Sequence, residues 1–208
     1  LGNLNDVTLD DIKDVDLFLA STPCTNLSSI NAKREGVFGE GSNLFFSGVK
    51  LLNELNEYRT SIGKGPVPFM FENVGSASKV DVNIMSDALG VLPVRINSSR
   101  VSANLRNRLY WCSWDVAQPK DLQIKFQDVI EDGWVIKDKA NALLTGSPSL
   151  TATSLKRMLY MSIGNLVFTN KEFASLPKDE MLDEFNRITD FGRLKDKIPF
   201  RKLTINEM

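Results

Sequence analysis

No histidine occurs anywhere in the 208 residues. That absence removes cysteine–histidine hydrolases, Ser-His-Asp triads and most histidine-ligated metal sites. A nucleophile in this chain must therefore be served by something other than imidazole. Cysteine is scarce as well. Cys24 and Cys112 are the only two, and they make neither a disulfide framework nor a zinc-ligand spacing, which points to a reducing compartment with the cytosol as default. There is no apolar run long enough to span a bilayer and no signal-peptide pattern. Charge is nearly balanced, at a formal net of −1, so a nucleic-acid-binding surface would have to be local. With 42% hydrophobic residues the chain reads as a soluble globular protein with one large domain or one and a half. It opens on Leu1-Gly2 without an initiator methionine and stops at Ile205-Asn206-Glu207-Met208, the pattern of an internal piece.

What is present is organised around Ser21-Thr22-Pro23-Cys24-Thr25-Asn26-Leu27-Ser28. The apolar run Leu17-Phe18-Leu19-Ala20 before it reads as a short buried strand, and Pro23 cannot continue its ladder. Cys24 then falls on a strand-end loop, where a scaffold presents a reactive group, although a free cysteine beside a strand also serves as a small core residue. Upstream, Thr8-Leu9-Asp10-Asp11-Ile12 reads as a short helix capped by Thr8. Downstream, the stretch from Asn31 to Asn43, with Gly36, Gly39 and Gly41, reads as a loop able to close over a substrate. Leu44, Phe45, Val49, Leu52 and Leu55 keep a helical period to about Tyr58. Val67-Pro68-Phe69-Met70-Phe71 reads as a second buried strand leading into Glu72-Asn73-Val74, where Glu72 is either a site acid or a loop cap. A helix around Val80 to Leu89 and a strand around Leu92 to Ile96 follow. Strands alternating with helices predict a largely parallel, doubly wound sheet. No acid lies between Asp87 and Asp115, while Arg95, Arg100, Arg106 and Arg108 do, a candidate phosphate-binding strip. Arg106 and Arg108 share a parity, so on one strand they would face the same way.

Thr22-Pro23-Cys24 with Leu27-Ser28, Gly41 with Leu44-Phe45-Phe46, Glu72-Asn73-Val74, and Arg106-Asn107-Arg108 resemble successive motifs of the DNA cytosine methyltransferases that act on carbon 5, in that family's order and at spacings it allows. Arg201-Lys202-Leu203-Thr204-Ile205-Asn206-Glu207 is similar to the motif that begins the family's return from its target-recognition region. The wording from Val101 to Trp111 resembles the animal de novo type and many bacteriophage enzymes. The resemblance implies a Rossmann-like α/β, S-adenosylmethionine-dependent methyltransferase core over residues 1–114, incomplete at its N-terminus. It further implies a target-recognition region over 115–199 and the start of the return to the core over 200–208.

By the same resemblance, the reaction is transfer of a methyl group from S-adenosylmethionine to carbon 5 of cytosine in double-stranded DNA, through a covalent cysteine adduct on a flipped base. Cys24 matches the thiolate that adds to carbon 6. Glu72 matches the carboxyl group at ring nitrogen 3, held protonated in a desolvated strand-end setting. Arg108 matches the residue that bonds the ring carbonyl oxygen, and Arg106 its partner on the phosphate and loop side. Cofactor contacts are expected at Asn3, Leu4, Pro23 and Leu44, with Asn3 standing where the family usually has an aspartate for the adenine amino group. Nucleic-acid contacts are expected at Ser28, Arg34, Arg106, Thr151 and Thr153, and no metal is implied. Asn104 replaces the usual glutamine. The family's Phe-x-Gly-x-Gly cofactor loop would precede Leu1, so the chain as given is expected to bind the cofactor weakly and to be inactive alone. Methylation of cytosine in transfer RNA, or a catalytically silent DNA-binding or regulatory role, are the alternative readings. The compartment expected is the cytoplasm of a bacterium or phage-infected cell, or the nucleus of a eukaryote.

Overall fold

A computed structural model describes the chain apart from residues 1–2, 30, 34, 40–43, 143–156, 160–163, 191–192, 195–199, 202, 205–206 and 208, and apart from the side chains of 188–190 and 193–194. The expected nucleic-acid contacts Arg34, Thr151 and Thr153, and the loop glycine Gly41, lie outside the described residues. The contacts divide the chain into two compact units, one of Leu1–Asn97 with Asn107–Gln118, the other of Ser98–Arg106 with Pro119–Met208.

The first unit contains helices α1 (Leu9–Ile12), α2 (Leu44–Ser61) and α3 (Lys79–Leu89) and strands β1 (Phe18–Ser21), β2 (Phe69–Val74) and β3 (Val94–Asn97). After β4 (Asn104–Leu105), which belongs to the second unit, β5 (Asn107–Cys112) returns to complete a four-stranded sheet of order β1-β2-β5-β3. β1 and β2 pair in parallel, whereas β5 is antiparallel to both β2 and β3. Three strands therefore run one way and the inserted strand runs the other. The parallel sheet expected from alternating helices and strands is mixed, for a physical reason. The Ser98–Arg106 connection carries only a single helical turn, Ser98–Arg100, which is too little for the crossover that a parallel neighbour requires.

Alternate residues of β2 and β5 build the core of this unit. Phe69, Phe71, Leu109 and Trp111 are buried together with Phe45, Leu52 and Leu55 of α2 and Met85 and Leu89 of α3. Gly48 lets α2 approach the sheet, since a Cβ there would stand 3.1 Å from the Phe71 ring. The Trp111 indole N–H is satisfied by Ser86 Oγ at 2.9 Å, which removes the cost of burying that donor. Thr8 caps α1 differently from the expectation: its N–H and hydroxyl both donate to the Asp11 carboxylate, at 2.9 and 2.8 Å. Those bonds hold the Asp11 carboxyl below its usual value.

The second unit has a separate aromatic core, in which Phe168, Phe173, Phe185 and Phe200 pack with Met181 and Leu159. It includes β6 (Ala140–Asn141), paired in parallel with β4, and β7 (Val167–Phe168), paired antiparallel with β10 (Phe200–Arg201). β8 (Thr189–Asp190) and β9 (Arg193–Leu194) form a further pair, and two helices, α4 (Lys171–Ala174) and α5 (Lys178–Ile188), precede them. Phe126–Val129 forms a 3-10 turn. Two charged groups hold the loops of this unit. The Lys139 ammonium donates to the carbonyls of Ser99, Ser102 and Ile124, at 2.6, 3.0 and 2.5 Å. Glu207, whose side chain is fully buried, accepts two bonds from the Arg201 guanidinium and one each from the N–H groups of Glu131 and Thr204. These bonds, Arg201 foremost, pull the Glu207 carboxyl down to about 2.

Candidate active site

β1 ends at Ser21, and the chain turns through Thr22-Pro23 into a tight bend in which the Cys24 carbonyl accepts from the N–H groups of Leu27 and Ser28, at 3.0 and 2.8 Å. Leu27 anchors this bend in the core at 1% exposure, while Cys24 is half-buried and Pro23 exposed. The bend is clamped from β2. Asn73 is 1% exposed; its amide donates to Thr22 Oγ1 at 3.2 Å and to the Thr22 carbonyl at 3.4 Å, and its own oxygen accepts the Val74 N–H. A buried amide that satisfies itself on the residue two before the cysteine fixes where the thiol starts. Sequence reasoning left Asn73 out of the site. Its signal was parity, because Asn73 shares the core-facing side of β2 with Phe69 and Phe71.

Glu72 faces the other side of the sheet and lies within β2, not in a loop after it. Its register partners are Ser21 of β1 and Tyr110 of β5. Arg108 stands two residues from Tyr110 on the same face, the diagonal neighbour of Glu72. The consequence is a compact polar group: Glu72 Oε1 to Arg108 Nε is 2.7 Å, and Ser21 Oγ donates to Glu72 Oε2 at 2.5 Å. The two charged side chains are 18% and 17% exposed. Arg108 also donates to the Asn107 carbonyl at 2.9 Å, which orients its guanidinium. Cys24, Glu72 and Arg108 thus sit at the ends or on the faces of adjoining strands of one unit, tied by Ser21 and Asn73. Ser21 is a second residue that sequence reasoning did not assign to the site.

The remaining expectations separate. Arg106 is exposed, lies in the break between β4 and β5, and belongs to the second unit, so it does not share a strand face with Arg108. The other arginines of the acid-free stretch are engaged by the protein: Arg95 donates to the Gly75 carbonyl at 2.6 Å and Arg100 to that of Pro119 at 2.6 Å. Ser28 is half-buried at the end of the cysteine bend. Asn3 is exposed, and its side-chain oxygen caps the 3-10 turn Leu4–Asp6 by accepting the Asn5 N–H at 3.0 Å. That turn is held on the first turns of α2 by the Ser47 hydroxyl, which donates to Asn5 Oδ1 at 2.8 Å. Leu4 and Leu44, both half-buried, are brought to neighbouring elements in this way. Among the described residues, no group of three histidine, cysteine, aspartate or glutamate side chains is placed to hold a metal ion, and no helix is long and apolar enough to cross a membrane.

A family model for C-5 cytosine-specific DNA methylases matches residues 1–123. The chain belongs to that family. The matched span covers β1 to β5 and with them the whole Cys24, Glu72 and Arg108 group. Enzymes of the family move a methyl group, normally taken from S-adenosylmethionine, to carbon 5 of cytosine. Among the C-5 methylases, then, this chain carries a thiol, a carboxylate and a guanidinium on a mixed α/β scaffold.

Proposed function

We propose that this protein methylates carbon 5 of cytosine in double-stranded DNA, with Cys24 as the nucleophile. The observation that carries the proposal is the Glu72–Arg108 pair at 2.7 Å, held in the same unit as the Cys24 bend through Ser21 and the Asn73 clamp. Carbon 5 of cytosine is a weak nucleophile. Addition of the Cys24 thiolate to carbon 6 breaks the ring's 5,6 double bond and places an electron pair at carbon 5. Glu72, carrying a proton, donates it to ring nitrogen 3 as the thiolate adds, and Arg108 bonds the ring carbonyl oxygen, so the charge that develops on the ring meets preorganised partners. S-adenosylmethionine, when bound, supplies the electrophilic methyl group; Asn3, Leu4, Pro23 and Leu44 are the residues assigned to hold it. Loss of the carbon 5 proton to a solvent base, with return of the nitrogen 3 proton to Glu72, then restores the double bond and expels the cysteine as a thiolate. The reacting atoms lie inside a duplex stack, so the base must be extruded, and the loop after Cys24 is the element that covers it. The second unit supplies DNA contacts, Arg106 among them.

The test is covalent capture of an oligonucleotide carrying 5-fluorocytosine, in which the carbon 5 substituent cannot leave as a proton. With S-adenosylmethionine present, the full-length enzyme is expected to form a denaturation-resistant complex with duplex DNA, and its Cys24→Ala variant none, while binding of unmodified DNA is retained. Capture by the alanine variant would refute the role of Cys24. Capture of fluorinated transfer RNA in place of DNA would move the substrate to RNA, and binding without capture of either would make the protein a silent binder.

A further inference from the structure

The loop that leaves the Cys24 bend is fastened twice, to the turn that joins β2 and α3 and to the first turn of α3. Near the bend, the Ser29 N–H donates to Ser76 Oγ at 3.1 Å. Farther along, the Val37 N–H donates to Asp81 Oδ1 at 2.8 Å. Val37 is fully buried and Asp81 is 9% exposed. Gly36 makes this approach possible: it has φ +76°, and a Cβ on it would stand 2.6 Å from Asp81 Oδ1. The neighbouring peptide passes the restraint back toward the thiol. Gly36 N–H donates to the Asn26 carbonyl at 3.1 Å, and Asn26 lies inside the bend closed by the Cys24 carbonyl. From Asp81 to Cys24 the path runs through two short peptide segments joined by hydrogen bonds.

Helix capping alone does not account for Asp81. Ser78 caps α3 by accepting the Asp81 N–H at 3.1 Å, and its hydroxyl donates to Asp81 Oδ2 at 2.6 Å. Those contacts occupy one carboxylate oxygen at the positive end of the helix. The other oxygen is turned to a buried N–H of a different segment, 44 residues away in sequence. A charge-assisted bond of this kind is shorter and stronger than a neutral one, which suits it to hold a loop in one place.

We infer that Asp81 is a positioning residue for Cys24, fixing the loop through Val37 and Gly36 so that the thiol meets the ring in one orientation. This rests on the reading of Cys24 as the nucleophile. Misplacement of a reacting atom by a fraction of an ångström lowers rate far more than affinity.

Four full-length proteins test it: wild type, Asp81→Ala, Asp81→Asn and Ser78→Ala. Hydrogen exchange reports the Val37 amide, and iodoacetamide labelling of the Cys24 peptide, normalised to the Cys112 peptide, reports the thiol without requiring any activity. Capture of 5-fluorocytosine DNA reports the reaction. Asp81→Ala is expected to deprotect Val37, change Cys24 labelling about threefold and slow capture about tenfold or more with DNA affinity within about twofold. Asp81→Asn keeps an acceptor for Val37 and is expected to restore most of the capture rate. Ser78→Ala loses the cap yet keeps the Val37 bond, so its capture stays near wild type. Equal slowing by Asp81→Ala and Ser78→Ala, in step with their loss of thermal stability, would reduce Asp81 to a helix cap and overturn the inference. If the labelling and exchange changes appear while wild type captures no nucleic acid, the positioning role stands and the methylation reading fails.

Discussion

Each unit holds an arginine–glutamate pair whose side chains are largely withdrawn from solvent, and these two pairs are built for opposite purposes. In the second unit the partners are six residues apart, and Glu207 is surrounded by two guanidinium donors and two backbone N–H groups with no exposed side-chain surface. In the first unit Glu72 and Arg108 come from different strands, keep 18% and 17% of their side chains open, and are supported by the Ser21 hydroxyl on Glu72 and the Asn107 carbonyl on Arg108. A carboxylate saturated by backbone donors has no bond left to offer and ties loops together. One held by movable side chains can exchange a partner for a ligand. A short ion pair does not distinguish structure from function; the identity of the other donors does.

The largest expected effect falls on the saturated pair. Glu207→Ala strips Arg201 and two N–H groups of their acceptor in a buried setting, which should destabilise the second unit by about 3–5 kcal/mol. Hydrogen exchange at the Trp134 and Phe168 amides, which bond each other's carbonyls across a bridge, reads it. Protection unchanged from wild type would erase the distinction drawn above. Next comes Arg108→Ala, expected to lower turnover about 10²–10³-fold while leaving DNA affinity and the melting temperature nearly alone. Unchanged turnover would make this pair structural as well.

Acid sharpens the comparison further. The Glu207 carboxyl titrates at about 2 in the folded protein against an ordinary 4.5, so its contribution is complete above the ordinary value and is lost as pH falls from 4.5 toward 2. Exchange protection in the second unit should decline across that window, and in Glu207→Gln the decline should be shallower. The smallest effect is expected from Ser21→Ala, which removes one supporting bond to Glu72 and should cost about 1 kcal/mol of stability with less than about tenfold in turnover. A larger loss would place Ser21 beside Glu72 and Arg108 in importance.

Much of the first unit was legible because its chemistry is written in short runs. Pro23 ending a ladder put Cys24 on a bend, and the apolar period from Leu44 gave α2, which continues to Ser61. Glu72 was found, but at the end of its strand and not within it, because a carboxylate inside a strand looks unfavourable until its cross-strand arginine is known. The reversed β5 was not read, since strand direction depends on the length of the connection and not on the strand's own residues. Lys139 and Asp81 were invisible for a different reason. Each is one charge among many along the chain, and only tertiary contacts show that three carbonyls or a distant N–H converge on it.

The sheet order also bears on how the chain is made. β5 is the last of the four strands to be synthesised, yet it occupies a place between β2 and β3. Until residue 112 has left the ribosome, β3 has no neighbour in the sheet and one edge of β2 stays open. The Glu72–Arg108 contact cannot form earlier either, because Arg108 arrives on that same strand. Folding of this unit is therefore not vectorial along the chain: closure waits for long-range insertion of a central strand, a step that is slow and leaves apolar edges open to other nascent chains.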